Sequence, residues 1–159
     1  MITIIAVGKI KENYLKEAIN DYQKRINKYH KINIVELNDI NENQSSLEKE
    51  KDIIMKHIKT KDYVITLDIE GEIIDSVSLS KKINDLFINY SNIVFVIGGS
   101  NGLHEDVKRR SNYSLSFSRL TFPHQLFRVI LLEQIYRCFK INNNETYHKW
   151  IEIKKMSQY

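Results

Sequence analysis

Apolar and polar positions along this chain repeat with two different periods, and the periods alternate. Residues 1–7 form an apolar run that stops at Gly8, short enough for a buried strand. Leu15, Ala18, Ile19, Tyr22, Ile26 and Tyr29 then recur at helical spacing, which predicts an amphipathic helix over about 12–29. Ile32, Ile34, Val35 and Leu37 predict a second strand. An Asn/Asp/Glu-rich loop over 38–44 follows, and Ser45 with Glu48 has the spacing of a capping box. The helix this opens runs to about residue 59 on a thin apolar face (Leu47, Ile53, Ile54, Ile58). A third strand is predicted over 63–69, closed by Glu70-Gly71, and Leu79, Ile83, Leu86, Phe87 and Tyr90 mark the next helix. Residues 93–97 are continuously apolar, as in a central strand covered on both faces. A short helix at 105–110, a brief strand at 114–117 and a last helix over about 124–140 complete the series.

Strands alternating with helices predict an α/β domain with a mostly parallel sheet flanked by helices. The last helix departs from amphipathicity. Leu126, Phe127, Val129, Ile130, Leu131, Leu132, Ile135, Tyr136, Cys138 and Phe139 cover most of its circumference. A helix apolar nearly all round must be buried on two sides, so a homodimer, with this helix between sheet and partner, is expected.

Composition narrows the class. The chain has 159 residues, 42% hydrophobic and 28% charged, enough for a single domain with its own core. No apolar run approaches the roughly 20 residues of a membrane span, and the first residues lack the pattern of a signal peptide. The single Cys138 excludes an internal disulfide framework, and scattered histidines make a structural metal site improbable. A cytoplasmic protein without metal is expected. The formal charge is +4, unevenly placed: residues 1–97 carry 14 Lys/Arg against 15 Asp/Glu, whereas 98–159 carry 10 against 5. The basic excess lies entirely in the C-terminal part, the usual footprint of a polyanionic partner or of a solvated face.

Unusual backbone gathers in the same region. Of five glycines, Gly98, Gly99 and Gly102 lie together, and the only proline, Pro123, follows soon after. The Gly-rich segment leaves the fourth strand, where α/β proteins bind ligands. Its G-G-x-x-G spacing is neither the dinucleotide fingerprint nor a P-loop, and a tight turn and a ligand cradle fit it equally well. The segment 117–124 also joins a strand to a helix N-terminus, which favours negative charge. Two such loops at neighbouring strand ends suggest one shared pocket.

Val96-Ile97-Gly98-Gly99-Ser100-Asn101-Gly102, Ser116-Phe117-Ser118, Thr121-Phe122-Pro123-His124-Gln125 and Glu145-Thr146-Tyr147-His148-Lys149 together resemble the RlmH-type SPOUT methyltransferases in order and spacing. That family methylates N3 of a pseudouridine in bacterial large-subunit (23S) ribosomal RNA. The opening Ile4-Ile5-Ala6-Val7-Gly8-Lys9 and Thr66-Leu67-Asp68-Ile69-Glu70-Gly71 fit as well, so the resemblance spans about residues 1–149 as one domain, with 150–159 as a C-terminal extension. It implies a C-terminal trefoil knot, a homodimer, S-adenosyl-L-methionine as cofactor and assembled ribosomes as substrate. Carried over, Leu67 lines the cofactor pocket, Gly98 and Gly99 form one wall, and Phe117, Ser118, Arg119, Leu120, Thr121 and Phe122 form the other.

Methyl transfer to an imide nitrogen requires loss of its proton and stabilisation of the resulting charge. The resemblance places Tyr147 and His148 in a tail over substrate and cofactor, from the same or the partner subunit. His148 is a candidate proton acceptor, and Arg128 a candidate for stabilising the imidate. The competing readings are structural: Arg128 paired with Glu133 or a backbone carbonyl, Tyr147 packed in the tail, His124 or His104 capping a helix. The chain departs from the family in its extra residues 150–159 and in Asn144, where Gly is common. A dimeric ribosome- or RNA-binding protein of the same fold, catalytically impaired by its altered tail, is the alternative. A phosphate-nucleotide enzyme is a third.

Overall fold

The computed structural model describes residues 1–40 and 44–149. Strands β1 (Ile2–Val7), β2 (Ile32–Leu37), β3 (Tyr63–Ile73), β4 (Ile93–Ile97) and β5 (Tyr113–Ser116) make one sheet in the order β2-β1-β4-β3-β5. Every neighbouring pair is parallel. Helices α1 (Asn13–Ile26), α2 (Gln44–Lys56), α3 (Ser76–Asn89), α4 (Glu105–Arg110) and α5 (His124–Asn142) cover it on both sides.

Two covered faces explain the continuous apolar runs. Ile2, Ile4, Phe95 and Ile97 point into a core shared with α1, α3 and α5, where Ile19, Ile83, Leu131, Ile135 and Phe139 are buried. Ile5, Val7, Val94 and Val96 point the other way, onto Ile54 of α2 and Val107 of α4. β4 is the middle strand, as its composition predicts. α5 is wedged between α1 and α3, which accounts for most of its apolar circumference.

Two local expectations are corrected. α2 begins at Gln44, so Ser45 lies inside the helix rather than at its cap. The cap the sequence reading overlooks is Asp75, whose side chain accepts the Ser78 N–H at 2.7 Å and opens α3. β3 does not stop at Glu70-Gly71 but continues to Ile73, with a register shift between Leu67 and Glu72 against β5. A Cβ on Gly71 would sit 2.7 Å from the Leu115 carbonyl carbon, so only glycine lets the two strands close up after the irregularity. The irregular stretch turns Asp68 and Ile69 toward the sheet rim, where β4 and β5 also end.

Among the described residues, no helix is long and apolar enough to cross a membrane, and no group of His, Cys, Asp or Glu is arranged to hold a metal ion. The extension 150–159 lies outside the described residues.

Candidate active site

The C-terminal ends of β3, β4 and β5 surround a cavity of about 400 Å³. One wall is the turn after β4. Gly102 sits at φ +75°, its N–H donates to the Gly99 carbonyl at 3.0 Å, and a Cβ on Gly98 would lie 2.6 Å from the Gly102 oxygen. The turn is therefore closed on itself, as the tight-turn reading expects, and it also lines the cavity. His104 anchors its far end. The ring Nδ1 accepts the Asp106 N–H at 3.0 Å, leaving Nε2–H to meet Glu48 of α2 at 2.8 Å. The capping role weighed for His104 is the observed one.

The opposite wall is the loop after β5. The Ser116 hydroxyl donates to the Ser118 carbonyl at 3.0 Å, and the Ser118 Oγ accepts the Leu120 N–H at 2.9 Å. These bonds satisfy the loop backbone locally and hold its apolar side chains toward the cavity. Phe127 of α5 packs edge-on against Phe117 and stacks on Phe122, with ring centroids 5.1 and 6.0 Å apart. The first turn of α5 opens on the cavity through His124, and no side chain caps it. Its free N–H groups and positive dipole end favour a carboxylate there.

Leu67, Gly98, Gly99, Phe117, Ser118, Leu120, Thr121 and Phe122 all line this cavity. Arg119 does not. Its guanidinium turns back to the carbonyls of Ile69 and Gly71, 3.1 Å to the latter, and ties the loop to the end of β3. Sequence reading missed the charged pair on the rim, Asp68 and Lys108, 3.0 Å apart. Burial opposes ionisation of Asp68, but the Glu70 N–H and the Lys108 ammonium outweigh it and hold its carboxyl below the usual range. The partner hydrogen bond correspondingly raises Lys108. Asp68 belongs to the motif that carries the resemblance, and the irregularity in β3 turns it to the pocket.

Arg128, Tyr147 and His148 are not brought to this cavity within one chain. Arg128 is 1% exposed on the far side of α5, donating to Glu36 at 2.7 Å and to the Gly8 carbonyl at 3.0 Å. Its carboxylate partner is Glu36 rather than Glu133, and its job in this chain is to fasten α5 to the β1–α1 loop and β2. Tyr147 and His148 dock on the C-terminal half of α5. The Tyr147 hydroxyl donates to Glu133 at 3.2 Å, its ring lies edge-on to Tyr136, and His148 Nδ1 meets Arg137 at 2.9 Å. Burial pushes the Tyr147 phenol up to about 12, so at neutral pH it is a donor and not a base. Asn144 takes φ +54°, the left-handed turn at which the family often uses glycine, and Glu145 is pinned by Tyr29 and Lys140 at 2.8 and 2.6 Å. Glu133 was considered only as a partner for Arg128, and Arg137 was missed. Their i,i+4 spacing in an otherwise apolar helix was the available signal.

A sequence profile described as "Predicted SPOUT methyltransferase" matches residues 1–148. The chain belongs to the SPOUT methyltransferase family, in its RlmH type. It is 55% identical over 157 residues to the ribosomal RNA large subunit methyltransferase H of Clostridium botulinum (strain Alaska E43 / Type E3), covering 93% of this chain and 99% of that protein. The protein of the same name from Clostridium tetani (strain Massachusetts / E88) is 52% identical with the same coverage. A solved structure described as "a probable methylase family protein from Haemophilus influenzae Rd KW20" superimposes with a TM-score of 0.55 at 13% identity, over 93% of this chain and 70% of that one, a likeness of fold alone. The SPOUT fold and methyltransferase activity thus agree with the parallel sheet and rim cavity described above.

Proposed function

We propose that this SPOUT methyltransferase uses S-adenosyl-L-methionine to methylate N3 of a pseudouridine in large-subunit ribosomal RNA, on assembled ribosomes in the cytoplasm, as a homodimer. The observation that carries the reading is the cavity at the ends of β3, β4 and β5. Its volume is that of a small-molecule site, roughly 300–1,000 Å³. Its donor set suits the cofactor's parts: Phe117, Phe122 and Leu115 offer apolar contact to a purine, the uncapped start of α5 attracts an α-carboxylate, and the Asp68 carboxylate suits a hydroxyl or a cation. When bound, the cofactor supplies an electrophilic methyl group on a sulfonium.

Position supplies much of the rate in such a displacement, because a correctly oriented acceptor converts a bimolecular encounter into a unimolecular step. The rigid turn at Gly98–Gly102 and the self-bonded loop at Ser116–Leu120 provide that rigidity. The trefoil knot implied by the resemblance belongs to the same proposal; the packing of these two loops around one cavity supports it.

The homodimer is supported by two features of α5. Leu126 is 42% exposed and Val129 and Ile130 are half-buried, which leaves an apolar strip beside the exposed Leu120 and Phe122. His124 lines the cavity, whereas Glu133 and Arg137, which hold the tail, lie roughly 14 and 20 Å further along the helix at 1.5 Å per residue. A chain's own tail is thus held away from its own pocket. A second copy with its α5 antiparallel across this strip brings its Tyr147 and His148 to the pocket instead.

Titration calorimetry with S-adenosylmethionine, ATP and NAD tests the cofactor assignment. Binding of the first alone is expected, and binding of a phosphate nucleotide without it overturns the reading.

A further inference from the structure

The tail is held by a polar cluster that no step above requires. Glu133 accepts from Arg137 Nε at 3.1 Å and Nη2 at 2.6 Å, from the Tyr147 hydroxyl and from the Gln134 amide at 2.8 Å. Two guanidinium N–H groups converge on the single oxygen Oε1 and fix the guanidinium plane, whose Cζ also lies 4.8 Å from the centre of the Tyr147 ring. The remaining arm, Nη1, meets His148 Nδ1 at 2.9 Å. Arginine has five donors, no acceptor, and keeps its charge. His148 Nδ1 must therefore accept, and the ring proton resides on Nε2. No described residue hydrogen-bonds to Nε2, which leaves that N–H as the group the tail offers.

We propose that Glu133 and Arg137 are positioning residues that lock His148 as the Nε2–H tautomer, so that His148 serves the reaction as a hydrogen-bond donor to an imide oxygen and not as the base that takes the imide proton. This deepens the methyltransferase reading and rests on it. The imide N–H proton leaves to solvent water, and the charge left behind is shared between the nitrogen and its two flanking carbonyl oxygens. A fixed N–H aimed at one of those oxygens stabilises charge where it develops, without reorganising at the moment of transfer. The Tyr147 hydroxyl is engaged with Glu133, so neither group in the tail motif presents a free basic atom.

Glutamine separates the two roles, because its amide N–H can stand near the position of imidazole Nε2 but cannot take up a proton at neutral pH. The test compares methyl transfer to ribosomes lacking the modification by the full-length wild type, His148→Ala and His148→Gln, with cofactor affinity measured alongside. His148→Ala is expected to lower kcat about 100-fold, the lower end for loss of one oxyanion donor. His148→Gln is expected to stay within about tenfold of wild type, with cofactor affinity unchanged in both. Equal loss in the two variants, with intact cofactor binding, overturns the donor role. In parallel, ¹⁵N NMR of the imidazoles should show wild-type His148 as the Nε2–H tautomer, retained in Arg137→Lys and mixed in Arg137→Gln. A wild-type Nδ1–H tautomer overturns the lock. Absence of transfer by the wild type would instead refute the methyltransferase reading, and the NMR arm would still decide the tautomer.

Discussion

Single residues set the shape of the pocket, and two of them make separable predictions. A Cβ on Gly98 meets backbone, the Gly102 carbonyl at 2.6 Å, and backbone does not yield as a flexible side chain does. Gly98→Val is therefore expected to open the turn and weaken S-adenosylmethionine binding at least tenfold, about 1.4 kcal/mol, as read by calorimetry; unchanged affinity would remove the turn from the pocket. Asp68 reports on the opposite rim. Its folded-state carboxyl lies below the ordinary value, so the stability it contributes is fully present above about pH 3.9 and is lost as pH falls further, through its folded value. The melting-temperature gap between wild type and Asp68→Asn should consequently be largest near neutrality and shrink in strong acid. A gap that grows in acid contradicts the Asp68–Lys108 pairing.

At the scale of elements, α5 carries most of the design. Its apolar circumference was legible in the sequence as a helix buried on more than one side, and its start was legible from Pro123. The partners of its polar residues were not, because Arg128, Glu133 and Arg137 find Glu36, Tyr147 and His148 through tertiary packing that local spacing does not encode. Arg128 illustrates the difference. Read as a catalytic cation, it is a buried fastener whose loss removes a donor from the Gly8 carbonyl and leaves Glu36 with the Ile10 N–H and solvent. Arg128→Met is expected to cost about 2–4 kcal/mol in denaturant unfolding, below the full penalty for breaking a buried pair because the Glu36 side chain is 40% exposed. A cost under about 0.5 kcal/mol would contradict that role. Strands β1, β2 and β4 were readable because both of their faces, or one and an edge, are apolar. β3 was cut short in the reading because Glu70 and Glu72 face solvent and Gly71 looks like a stop, whereas its lack of a side chain is what admits β5. Gly71→Ala should accordingly lower stability by about 1–3 kcal/mol, the range for overpacking.

At the scale of the whole molecule, the basic C-terminal part, the rim cavity and the tail form one device only if two chains combine. The cavity lies at the start of α5 and the tail at its end, held by Glu133 and Arg137. The sequence left the tail's origin open between the same and the partner subunit; the distance along one helix favours the partner. Sedimentation should show a dimer that Leu126→Glu disrupts, since the substitution places a charge in the exposed apolar strip, and transfer should fall with dimerisation. A fully active monomer would contradict the division of the site. The measurement closest to the central claim is transfer of a labelled methyl group from S-adenosylmethionine to ribosomes lacking the modification, with the product nucleotide mapped by mass spectrometry. One methyl group on N3 of a pseudouridine in the large-subunit RNA is the predicted result, whereas cofactor binding without RNA labelling, or a label on any other atom, would contradict it.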